Sequence, residues 1–231
     1  MSPIPDLFVV GTDTGVGKSM VSLLLMRMIF AMGLSPFYLK PFQTGCIDAS
    51  DPHSDARFVY DHTPALKGKD PGESVIYCHR NPKAPYFAAL DANAELDPGY
   101  VRRAIEEKRM QYSPLVVEAA GGLMVPVTRD LLVIDIVQAS GCRPLLVAKD
   151  GLGTINHTLL SIAALRDKGM EPLGVVFVKS TPSISGTDLV EENIEAVRHF
   201  GRVKTSGVIG YINDCYRPPA SAFTALKNIL P

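Results

Sequence analysis

The segment Gly11-Thr12-Asp13-Thr14-Gly15-Val16-Gly17-Lys18-Ser19 brings together the residue types that phosphate chemistry requires. Glycines let backbone N–H groups curl around phosphate oxygens, and the start of a following helix adds partial positive charge. Lys18 can then reach the terminal phosphates of a nucleotide, and Ser19 can ligate magnesium. The usual spacing, G-x-x-x-x-G-K-[ST], would set its first glycine at position 12, where this chain has Thr12; Gly11 comes one residue early. A divalent ion needs more oxygen ligands than one hydroxyl, so carboxylates must arrive from other strands. Glu118 follows the apolar run Leu115-Val116-Val117 and precedes Ala119-Ala120-Gly121-Gly122, a small-residue turn that admits close approach of backbone to a ligand. A carboxylate at the tip of a buried strand is costly unless ionised beside a cation. Asp55, in His53-Ser54-Asp55-Ala56, is the second candidate, and it also reads as the N-cap of a helix.

Lys40 supplies another cation, after the apolar run Phe37-Tyr38-Leu39 and before Pro41-Phe42-Gln43-Thr44-Gly45. In an open parallel sheet, neighbouring strands deliver their carboxyl ends to one crevice, which would set Lys40 beside the phosphate loop. Two lysines there could stabilise charge on a transferring phosphoryl group. The turn Asp150-Gly151-Leu152-Gly153-Thr154-Ile155-Asn156-His157 offers free N–H groups to an anion or simply starts a helix. His157 itself reads as a packed or surface residue, not a base.

Positioning these groups calls for βα units. Short β-branched runs at Leu7–Val10, Phe37–Lys40, Leu115–Glu118, Leu145–Ala148, Leu173–Val178 and Val208–Ile209 alternate with longer helical patterns. Most are continuously apolar, as strands covered on both faces must be. Helices are expected near 17–32, 98–110, 154–168 and 188–200, with Asp97-Pro98 and Asp188/Glu191 as start signals. The stretch from Pro41 to about Asn93, rich in Pro, Gly, Asp and His, reads as an insertion carrying loops. The expectation is an α/β fold of the phosphate-loop NTPase type, a mostly parallel sheet with helices on both faces, in a single domain spanning 1–231.

Composition narrows the function. With 231 residues, 46% hydrophobic and 20% charged, the chain can bury a real core and is not disordered. A net charge of −1 leaves no footprint for nucleic acid. Cys46, Cys78, Cys142 and Cys215 are scattered without CxxC pairs, which argues against a disulfide framework or zinc site and for core packing, as for the Met-rich helix at 20–32. The stretch from Met20 to Leu34 is too short to span a bilayer and contains Arg27. The first residues lack the pattern of a secretory signal, so a cytoplasmic protein without membrane association is expected.

Together these motifs resemble the dethiobiotin synthetase family of biotin biosynthesis. GTDTGVGKS is similar to that family's G-T-x-T-x-V-G-K-T, early glycine included; KPFQTG to K-P-x-x-[ST]-G; SDA to Ser-Asp-Ala; VEAAGGLMVP to V-E-G-A-G-G-x-x-x-P; and GLGTINHTLL to G-x-I-N-H-[AT]-L-L. The resemblance implies a ligase that joins diaminopelargonic acid and carbon dioxide at the expense of MgATP, through a carbamate and a carbamic-phosphoric anhydride. It implies catalytic roles for Lys40, Lys18 and Thr14 and magnesium at Ser19, Asp55 and Glu118. Nucleotide contacts would fall at Gly15, Val16, Gly17, Lys18, Ser19, Met20, Asp55, Glu118 and Gly121, and base contacts at Val178, Lys179, Gly210, Tyr211 and Ile212. Diamine contacts would come from Thr14, Lys40 and Thr44, with Gly153, Thr154, Ile155 and Asn156 of the other subunit of a homodimer completing the site.

Three positions depart from the family pattern. Ala119 replaces a glycine, and its methyl could crowd the phosphate, although the glycines that follow remain. Val178-Lys179 replaces an Asn-Asp pair that reads adenine, so base selectivity should be weak, because valine offers no paired hydrogen bonds. Gly210 replaces a proline. A partitioning or regulatory ATPase of the MinD/ParA kind is the alternative, but such proteins carry a second lysine where this chain has Asp13, and the tail Ser221–Pro231 has one lysine, Lys227. An amidotransferase-type cobyrinate synthase would need a further glutaminase domain.

Overall fold

A computed structural model describes residues 4–179 and 187–230. Seven strands form one sheet in the order β3-β2-β4-β1-β5-β6-β7, and every pairing is parallel. The strands are β1 (Leu7–Gly11), β2 (Phe37–Thr44), β3 (Val75–His79), β4 (Leu115–Gly122), β5 (Arg143–Lys149), β6 (Gly174–Val178) and β7 (Thr205–Ile209). Between and after them run α1 (Lys18–Ala31), α2 (Asp55–His62), α3 (Pro85–Asp91), α4 (Pro98–Gln111), α5 (Val133–Ser140), α6 (Thr154–Asp167), α7 (Thr187–Gly201) and α8 (Ala220–Lys227).

Alternation along the strands builds two cores. Leu7, Val9, Tyr38 and Val116 face α1, α2 and α8, whereas Phe8, Val10, Leu39 and Val117 face α4, α5, α6 and α7. Both faces are covered, as the continuous apolar runs imply. Helix α1 is buried on most sides, with Val21, Leu23, Leu24, Leu25, Met26 and Ile29 inaccessible, because the sheet lies under it and α2 and α8 flank it. Met32, just past its end, is exposed and lies outside the packing role expected of the Met-rich helix. All four cysteines are free; Cys46 and Cys142 are buried, and Cys78 and Cys215 are half-buried. Asp97 caps α4 by accepting from Gly99 N at 2.7 Å, with Pro98 in the first turn. Asp188 lies inside the first turn of α7 and does not precede the helix; an acidic side chain there still meets the positive end of the helix dipole.

The stretch from Pro41 to Asn93 is not a loop insertion. It holds the second half of β2, then α2, a short 3-10 turn at Gly72–Ser74, the edge strand β3 and α3. Nor do β2 and β4 end at Lys40 and Glu118: they continue to Thr44 and Gly122. Phe37, Tyr38 and Leu39 pair with β4, and from Lys40 to Thr44 the strand pairs with β3 instead. β4 meanwhile follows β1 as far as the Gly11–Gly122 pair. The two strands therefore part company after Leu39 and Val117, and the gap between them opens beside the phosphate loop. Among the described residues, no helix is long and apolar enough to cross a membrane.

Candidate active site

The phosphate loop occupies the turn from β1 into α1, in the middle of the sheet. Two glycines are dictated by local geometry. A Cβ on Gly11 would lie 2.8 Å from Asp13 O and 3.0 Å from Lys18 Nζ, because the loop folds back over the strand end. That explains the early glycine: the position that must stay bare is 11. Gly17, the residue before α1, has φ +98°, and a Cβ there would sit 2.7 Å from Val178 Cγ1. Lys18 Nζ donates to Asp13 O at 3.0 Å. Val16 is buried in the core below and sends no side chain into the cavity above.

That cavity, about 750 Å³, is lined by Thr14, Gly15, Gly17, Lys18, Ser19, Met20, Lys40, Thr44, Asp55, Glu118 and Gly121, all expected from sequence. Its centre is a charged cluster. Glu118 has no solvent exposure and Lys40 only 4%. Lys40 Nζ lies 2.8 Å from Asp55 Oδ2 and 2.8 Å from Glu118 Oε1, and donates to Ala119 O at 3.1 Å. Ser19 Oγ lies 2.6 Å from Asp55 Oδ1 and 2.9 Å from Glu118 Oε1. Tyr38 OH donates to Glu118 Oε2 at 2.9 Å.

Asp55 does not cap α2. Ser54 does, accepting from Ala56 N and Arg57 N, so the Asp55 carboxylate is released toward Lys40 and Ser19 while its N–H donates to Gln43 Oε1 at 3.1 Å.

The charges tune one another. Burial pulls Lys40 down, but Glu118 and Asp55 outweigh it and raise its pKa above the ordinary lysine value. Burial pushes Asp55 up, yet Lys40, Ser19 and Lys18 hold it below the usual carboxylate range. Lys18 is brought down to about 8 by burial and by the neighbouring Lys40 charge, against the pull of Glu118, Asp55 and Asp13.

A hard divalent ion fits this donor set. The Ser19 hydroxyl has a single proton and faces two carboxylate oxygens, so one of its two short contacts lacks a proton. A cation there would satisfy all three oxygens. Among the described residues no group of three or more His, Cys, Asp or Glu is placed to hold a metal ion by itself.

The remaining expected residues lie elsewhere. Val178 ends β6 and is buried against Gly17. Lys179 N donates to Ile209 O, so Lys179 and the segment Gly210, Tyr211 and Ile212 sit together where β6 and β7 end; Ile212 is buried, and Tyr211 is exposed. Gly153, Thr154, Ile155 and Asn156 start α6 after β5, on the far side of β1 from Lys40, and do not line the cavity. Ala119 does not line the cavity. Its side chain belongs to the opposite core with Val117 and Phe42, since alternation turns it away from the face that bears Glu118.

Several lining residues were missed: Phe42, Gln43, His53, Phe58, Pro82, Lys83, Ala84, Pro85 and Val125. The segment from Pro82 to Pro85 was concealed within the supposed insertion; its signal was the proline placed to start α3.

Parallel order, loop and charged cluster define a phosphate-loop nucleotide-binding protein, and a sequence profile described as an AAA domain matches residues 6–219. The Pyrococcus furiosus cell division ATPase MinD superposes with a TM-score of 0.57 at 15% identity, over 98% of this chain and 97% of that one, a likeness of fold alone. Closer similarity comes from sequence. The ATP-dependent dethiobiotin synthetase BioD of Methanococcus vannielii is 31% identical over 210 residues, covering 91% of this chain and 95% of that protein. The protein of the same name from a Hydrogenobaculum species is 35% identical over 202 residues, covering 83% and 88%. The chain belongs to the ATP-dependent dethiobiotin synthetase family. It is accordingly a ligase-type, ATP-binding enzyme of biotin biosynthesis.

Proposed function

We propose that the chain, acting as a single domain in the cytoplasm, carboxylates and cyclises diaminopelargonic acid (7,8-diaminononanoate) to dethiobiotin. One substrate amine adds to carbon dioxide and loses a proton, giving a carbamate. A carbamate oxygen attacks the γ-phosphate of ATP and ADP leaves, forming a carbamic-phosphoric anhydride. The second amine then attacks the anhydride carbonyl, expels phosphate and closes the urea ring.

The observation that carries this is Lys40: a buried ammonium held by Asp55 and Glu118 on the same cavity wall as Lys18 and Ser19. It stays charged and is pre-aimed, as a group must be to meet charge that develops on a carbamate and a departing phosphoryl. Lys18 and Thr14 act on the phosphate side, and Thr44 meets the diamine. Ser19, Asp55 and Glu118 would hold magnesium, which when bound neutralises phosphate oxygens.

A homodimer would complete the diamine site, with the turn from Gly151 to Asn156 facing the partner's cavity. Leu152 in that turn is 78% exposed and Leu160 on the same helix 61% exposed, an apolar surface suited to burial against a second copy.

Purified protein incubated with MgATP, bicarbonate and diaminopelargonic acid should yield dethiobiotin by mass, with one phosphate released per product. Phosphate release without dethiobiotin would instead favour a switch-type ATPase. Base selectivity should be weak, because the side chain of buried Val178 offers no polar atom to a base. Comparison of kcat/KM for ATP, CTP and GTP checks this; a preference for ATP above about 100-fold would be too large.

A further inference from the structure

Glu118 carries two oxygens with different neighbours. Oε1 faces Ser19 and Lys40, the open side of the cluster. Oε2 accepts from the Tyr38 hydroxyl at 2.9 Å. Tyr38 and Lys40 stand two residues apart on β2 and so project from the same face. They grip the Glu118 carboxylate from one strand, an uncharged O–H on one oxygen and an ammonium on the other. Tyr38 has no solvent exposure, so neither its ring nor its hydroxyl has an alternative position in water.

We propose that Tyr38 is a positioning residue that fixes the rotation of the Glu118 carboxylate, so that Oε1 is presented to the metal beside Ser19. This rests on the reading of Glu118 as a magnesium ligand. Without the hydroxyl, Oε2 would be a fully buried acceptor lacking a donor. The carboxylate would then turn to share Lys40 through both oxygens, and Oε1 would leave the direction of Ser19. Groups that orient a metal ligand in this way are commonly worth about 10–100-fold in metal affinity.

Mn2+ serves as the probe, titrated by electron paramagnetic resonance into the protein with ADP bound. Tyr38→Phe, which keeps the ring, should weaken Mn2+ about tenfold. ADP affinity measured without metal should stay as in the wild type. Tyr60→Phe is the matched control: it removes another hydroxyl from the same core, one bonded to Ser74 at 2.8 Å and not to Glu118, and should leave Mn2+ affinity unchanged even if stability falls. In a Glu118→Gln background, Tyr38→Phe should have no further effect on Mn2+. Unchanged Mn2+ affinity in Tyr38→Phe, with Glu118→Gln weakened, overturns the role of Tyr38 and leaves the metal assignment standing. Wild-type Mn2+ affinity in Glu118→Gln overturns both.

Discussion

Lys18 and Lys40 share one cavity and are tuned in opposite directions. Lys40 is paired with two carboxylates and is held in the charged form; Lys18 has a backbone carbonyl as its partner and the other lysine as a neighbour. The first is built as a fixed charge and the second as one that a ligand completes. Lys40→Gln should therefore lower kcat by about 100-fold or more while leaving the Kd of an ATP analogue nearly unchanged, because its charge matters most as the carbamate reacts. Steady-state kinetics and calorimetry on the same variant check the split, and near-normal turnover would remove Lys40 from the chemistry. For Lys18 the prediction concerns protons. In the free protein it titrates near 8, and bound phosphates must raise that value. Between the free and bound pKa values, nucleotide binding takes up a proton, and affinity declines as pH rises above 8. Calorimetry in buffers of different ionisation enthalpy should detect uptake near pH 8.5 that grows from pH 7, and no uptake in Lys18→Gln.

At the scale of elements, the site depends on where strands separate and where a helix begins. β2 leaves β4 for β3 after Leu39, which makes room for Lys40, Glu118 and a ligand between strands that are otherwise close-packed. Helix α1 begins at a glycine in the left-handed region that also lies under Val178. Gly17→Ala should thus destabilise the protein by more than the ~1–2 kcal/mol of the backbone term alone. Adding Val178→Ala should relieve the collision, so that the double variant loses less in urea unfolding than the sum of the two single ones. Much of this was legible in the sequence. GTDTGVGKS lies between a strand pattern and a helix pattern, Lys40 and Glu118 each follow an apolar run, and Asp55 opens a helix. What escaped has physical causes. β3 is an edge strand, half-buried throughout, so it lacks the apolar run that betrays β1 or β5. Helices α3, α5 and α8 have eight residues or fewer, too short for a clear period. The side to which Ala119 points depends on where β4 ends, and its small residues suggested a turn when they form a strand.

For the whole molecule, the sheet order divides the functional residues into two groups. Lys40, Asp55 and Glu118 lie on the β2 and β4 side of the phosphate loop, and the turn from Gly151 to Asn156 lies on the β5 side. Should two chains complete each other, mixing two inactive variants, Asn156→Ala weakened in diamine binding and Lys40→Gln weakened in chemistry, should restore activity that neither has alone. Mixed dimers would then contain one intact site. Activity of the mixture equal to the average of its parts would mean that each chain works by itself.

The contact between Gly17 and Val178 joins these halves. Val178 packs over the glycine that turns the loop into α1, so any base preference exerted at 178 would be coupled to the shape of that loop. Bulkier replacements there would shift the cradle, and any lineage that changes its fuel through this position must renegotiate its grip on the phosphates at the same time.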